Sequence, residues 1–112
     1  MTDEVPALAP AGDGSFELRG PVTFATAGAL LAAGAARFTG LGAVTVDLGQ
    51  VTRADSAGLA LLLEWLRLGR AAGRPVRFTN LPDKLRGIAR LSGVEKLLLE
   101  GYSGAASSSS SG

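Results

Sequence analysis

The sequence predicts an α/β domain: a small mixed, mainly parallel sheet of about four strands, with helices packed mainly on one face. Three observations carry this. Short segments with two-residue apolar alternation take turns along the chain with longer Ala- and Leu-rich segments of helical length. Glycine and proline fall between these segments rather than inside the strands. The chain has 112 residues, 46% of them hydrophobic, and no cysteine, which suits a single core built without disulfides.

Residues 1–14 are rich in Pro, Gly, Ala and acid and read as a flexible lead-in, so the domain is expected over 15–100. Residues 15–20 alternate, Phe16 and Leu18 against Glu17 and Arg19, and predict a half-buried strand that Gly20-Pro21 ends. Thr23 to Phe38 has helical length; its many Ala residues favour helix, Gly28 and Gly34 weaken it, and so many small residues together point to close packing against a sheet. Ala43 to Gly49 alternates Val44, Val46 and Leu48 with Thr45 and Asp47 as a buried strand, and residues 50–56 read as a connection. A second helix spans about Ser56 to Ala72, with Gly73 as its stop and Pro75 just beyond. Pro75 to Asn80 is a short strand. Pro82 and Asp83 open a third helix, with Leu85, Ile88, Ala89 and Leu91 as its buried stripe and Gly93 as its stop. Residues 94–99 fit a last strand or a short helix equally. Residues 101–112 form a low-complexity Gly/Ser tail expected to be disordered.

Composition excludes several chemistries. A net charge of +1 makes no global case for nucleic acid. The absence of His and Cys removes the commonest general base, the thiol nucleophile and the usual zinc ligands. No phosphate-binding loop is present, and the Gly-rich Thr39–Ala43 precedes a strand instead of following one. The carboxylates are scattered without a dyad. No catalytic, metal or cofactor-binding residue is therefore assigned. Nine of the eleven basic residues are Arg, and seven of these lie between Arg53 and Arg90, a local bias that fits solvated helix surface or an acidic or anionic partner surface. Without signal-peptide features or a long apolar span, a cytoplasmic protein with no direct membrane insertion is expected.

The most informative stretch is "TRADSAGLALLLEW", Thr52 to Trp65. Asp55 or Ser56 can cap the helix, and the Asp55 charge suits the helix dipole. Leu59, Leu62, Leu63 and Leu66 make one apolar face of that helix, and Leu61, Trp65 and Leu68 a second. One stripe is enough to seat a helix on a small sheet, so the second face is expected to rest partly against another protein, with Trp65 as a common type of interface anchor. The small triplet Ser56-Ala57-Gly58 leaves a surface that a partner can approach closely, and the Ser56 hydroxyl is open to phosphorylation.

"VDLGQVTRADSAGLALLL" resembles the signature of the STAS domain family (sulfate transporter and anti-sigma factor antagonist): a strand ending in Asp47-Leu48, a short connection, then Asp55-Ser56-Ala57-Gly58-Leu59 at a helix start. The resemblance covers residues 15–100 and implies a STAS-like fold. The stretches from Ser56 to Phe78 and from Leu81 to Leu98 are similar to the STAS subunits of bacterial Mla (maintenance of lipid asymmetry) phospholipid transporters. That similarity implies a non-catalytic accessory subunit that binds the ATPase of the ABC system, and through it the membrane permease, and supports assembly and activity. The protein would lie peripheral to the inner membrane through its partner, with weak self-association when that partner is absent. The docking surface is then expected at Ser56, Ala57, Gly58, Leu61 and Trp65, with Leu31 contributing from a matching place on the first helix, although some relatives carry an aromatic near there. The alternative implied is an anti-sigma factor antagonist regulated by phosphorylation of Ser56; Ala57 stands where such regulators often have a second Ser.

Overall fold

The computed structural model describes residues 5–100; the expectations for residues 1–4 and 101–112 lie outside them. The order is β1 (Ala7–Gly12), β2 (Ser15–Val22), α1 (Ala27–Phe38), β3 (Val44–Ala54), α2 (Ser56–Ala71), β4 (Val76–Thr79), α3 (Asp83–Leu91) and α4 (Glu95–Glu100). The four strands form one sheet in the order β1-β2-β3-β4. The β1–β2 pair is antiparallel, and β2–β3 and β3–β4 are parallel. Burial alternates along the strands: Phe16, Leu18, Val44, Val46, Leu48, Val76 and Phe78 are buried, while Arg19, Arg77 and Thr79 are exposed. The helices therefore cover one face and the other stays open.

Three boundaries correct the sequence reading. The supposed lead-in contains β1, whose partner is reached through Asp13-Gly14, a hairpin pair with Gly14 at φ +70°. Only Leu8 anchors this strand in the core, and Pro10 is tolerated because the strand lies at the sheet edge. Gly20-Pro21 does not end β2. The pairing register shifts there with Gly20 at φ +83°, and the strand runs on to Val22. Nor is the stretch after Gly49 a connection: β3 continues to Ala54, pairing with β2 alone once β4 has ended. The ambiguous segment 94–99 is helical from Glu95 on, as α4, so the fourth strand comes from the N-terminal side.

An aromatic chain crosses the core. Phe16 of β2 meets Phe38 of α1 at 5.1 Å, Phe38 meets Trp65 of α2 at 5.5 Å, and Trp65 stacks on Phe78 of β4 at 6.4 Å between centroids. Gly34 of α1 makes room for this: a Cβ there would lie 2.3 Å from Trp65 Nε1. Gly34 thus serves helix-to-helix packing against α2 rather than packing on the sheet. Gly69 lets α2 approach Val76 and the Arg74 carbonyl in the same way.

Candidate partner-docking site

Between α1 and α2 the surface carries an open apolar groove of about 490 Å³. Small residues, Ala27 and Gly28 from α1 with Ala57 and Ala60 from α2, leave the space. Leu31 and Leu61 line it with larger apolar surface, and Glu64 stands among them. The Glu64 carboxylate is held by Arg67, whose Nε donates to Oε1 at 3.0 Å, and this pairing keeps its pKa below the usual value. Phe24, 86% exposed, completes the lining from the turn between β2 and α1. An exposed aromatic beside an apolar groove is the kind of patch that marks an interaction site.

The turn carrying Phe24 is fixed by hydrogen bonds. Thr26 Oγ1 donates to the Pro21 carbonyl at 2.8 Å and accepts from Thr23 N at 2.9 Å. The backbone N–H groups of Thr26 and Ala27 donate to the Thr23 carbonyl at 3.0 and 2.8 Å. Asp55, the N-cap of α2, ties this turn to the second helix. Its Oδ1 accepts from Ala57 N at 2.9 Å and Gly58 N at 3.1 Å, while Oδ2 accepts from Phe24 N at 3.1 Å. The bond from Phe24 is the leading cause of a lowered Asp55 pKa; those from Gly58 and Ala57 and the charge of Lys84 act in the same direction.

The structure divides the expected docking residues. Leu31, Ala57 and Leu61 come together in the groove, with Leu61 only 3% exposed. Ser56 is exposed at the start of α2 but does not line the groove. Gly58 is buried, and a Cβ there would lie 2.4 Å from the Val22 carbonyl oxygen, so its smallness serves the packing of α2 onto the end of β2. Trp65 is a correction: at 1% exposure inside the aromatic chain it cannot reach a partner from this conformation. Both apolar faces of α2 are covered within the chain, because α1 flanks it as well as α3 and the sheet. Asp55, rather than Ser56, is the cap.

Sequence reasoning missed Phe24, Ala27, Gly28 and Ala60. Phe24 falls inside the helix expected from Thr23 to Phe38, but α1 starts three residues later at Ala27. The pair Thr23 and Thr26, able to close a side-chain turn, was the available signal. Among the described residues, no helix is long and apolar enough to cross a membrane.

The model of the family described as "Mlab, STAS domain" matches residues 9–100. Similar solved structures include "Crystal Structure Analysis of Mglu" (29% identity, TM-score 0.57), where the match covers 69% of this chain and 20% of the other. The chain thus spans about a fifth of that protein. A sulfate transporter family protein from Wolinella succinogenes is 22% identical with a TM-score of 0.62, over 81% of this chain and 75% of that one. The anti-sigma factor antagonist SpoIIAA in its unphosphorylated form is 18% identical with a TM-score of 0.60, over 78% and 83%. At these identities the last two show a shared fold. No curated protein matches the sequence significantly.

Proposed function

Since the chain belongs to the Mlab-type STAS domain family, we propose that it is a non-catalytic accessory subunit that docks on the ATPase of a phospholipid-transporting ABC system of the Mla type, supporting assembly and activity of the transporter at the inner membrane. The observation that carries this reading is the α1–α2 groove with Phe24 held exposed at its side. Apolar contact there would supply most of the binding energy, with Phe24 as the aromatic anchor. Ser56, exposed beside the groove rather than within it, would lie at the margin of the contact. Binding of this kind stabilises the partner conformation that it selects by mass action.

The test is co-purification with the ATPase, together with lipid-transport activity, for Phe24→Ala and Ala60→Arg. Both residues are exposed, so the fold should persist with stability changed by no more than about 0.5 kcal/mol. Loss of the complex in both variants is the expected result. An intact complex and full activity in folded variants would remove the basis of the docking reading.

One observation favours the anti-sigma factor antagonist alternative: Ser56 is exposed at the start of α2. Stoichiometric phosphate on Ser56 after incubation with a candidate kinase, with release of that kinase, would support this second reading over the first.

A further inference from the structure

On the other side of the Phe24–Asp55 bond lies a second concavity, of about 400 Å³ and more polar, lined by Thr23, Thr52, Arg53, Ala54 and Lys84. It sits where the parallel strands β2 and β3 end. Thr23 lines this pocket and its neighbour Phe24 lines the apolar groove, so the two adjoin at this turn.

The cations of this pocket stand apart from the rest of the arginine-rich stretch. Arg67 is paired with Glu64, Arg86 and Arg90 share Glu95, and Arg74 donates to the Leu41 carbonyl. Arg70 has an interaction of its own, and Arg77 lies on the open sheet face. Among the described residues, Arg53 and Lys84 form no ion pair or side-chain hydrogen bond. Two acids face or adjoin them. Asp55 feels the Lys84 charge, but its oxygens already accept three backbone N–H groups. Asp83 precedes Lys84 on α3 and is exposed.

We propose that Arg53 and Lys84 receive carboxylates of the partner, so that the docked segment is an amphipathic helix of the ATPase with an apolar stripe in the groove and Asp or Glu side chains beyond its end. This rests on the docking reading above and specifies the partner's chemistry. A protein segment fits better than an anionic membrane, because two cations beside a narrow apolar groove match one helix, whereas a lipid surface calls for a broad basic face.

The experiment titrates the purified ATPase with the full chain across a range of salt concentrations. The R53Q/K84Q pair should weaken binding about tenfold at low salt and flatten the salt dependence. The R37Q/K96Q pair, with the same net charge change at exposed sites outside both concavities, should do neither. Melting temperatures verify that both proteins remain folded. Wild-type binding with a salt dependence that R53Q/K84Q leaves unchanged would overturn the acid-receiving assignment while leaving the groove reading intact. No wild-type binding at all would overturn both. Binding of the free chain to phosphatidylglycerol-containing vesicles, abolished by R53Q/K84Q, would also overturn the assignment, in favour of a lipid headgroup.

Discussion

One carboxylate oxygen of Asp55 caps α2 while the other fixes the backbone of Phe24, so a single side chain joins both walls of the groove. The two roles can be separated. Asp55→Asn keeps an oxygen for the cap but presents an amide that cannot accept from Phe24 N. It should leave the melting temperature nearly unchanged and weaken binding of the ATPase, whereas Asp55→Ala should also cost about 1 kcal/mol of stability. The lowered Asp55 pKa has a definite sign. The ordinary value is 3.8, so its contribution to stability is complete above that pH and is lost as pH falls through the lower folded value. Acid unfolding should therefore be shallower in Asp55→Asn. Asp47, lowered by Asn80 and by the Gly49 N–H, keeps its own acid-dependent contribution in that variant. Such a local cap is legible in sequence because acceptor and donors lie within three residues. The bond to Phe24 spans 31 residues and no local pattern announces it.

The helices show how far periodicity carries. Spacing placed α2 and α3 nearly where they are, because Asp55, Gly73 and Gly93 act locally as cap and stops. The same spacing could not tell which face of α2 meets a partner. Two apolar faces are also what a central helix needs when α1 covers one flank, and α1, rich in Ala, showed little sign of being that cover. The glycines of α1 separate packing from docking. Gly34→Ala should destabilise the fold by about 1–2 kcal/mol, because displacing a buried indole outweighs the gain in helix propensity. Gly28→Ala meets nothing within 4 Å and should stabilise it by about 0.5–1 kcal/mol. Thermal or denaturant unfolding of the two variants checks this pair, and equal shifts would mean that Trp65 does not rest on Gly34 as described. The strands were less legible at their ends. Gly20-Pro21 and Gly49 are ordinary terminators, but here β2 and β3 continue past irregular registers, and β1 has one core side chain with which to declare itself.

For the whole molecule, the α/β class, the four-stranded mixed sheet and the helices on one face follow from the order of elements and the alternation of burial. Among the described residues, that frame leaves the α1–α2 face as the one with an exposed aromatic and a small-residue groove, with Arg53 and Lys84 in the adjoining concavity. Among the described residues, the opposite sheet face, carrying Arg19 and Arg77, offers no comparable apolar surface. The most direct test of the docking account is site-specific photocrosslinking to the ATPase. A photoreactive phenylalanine at position 24 should crosslink to the ATPase, and the same group at Arg77 on the open sheet face should not. Efficient crosslinking from position 77 with none from position 24 would contradict it.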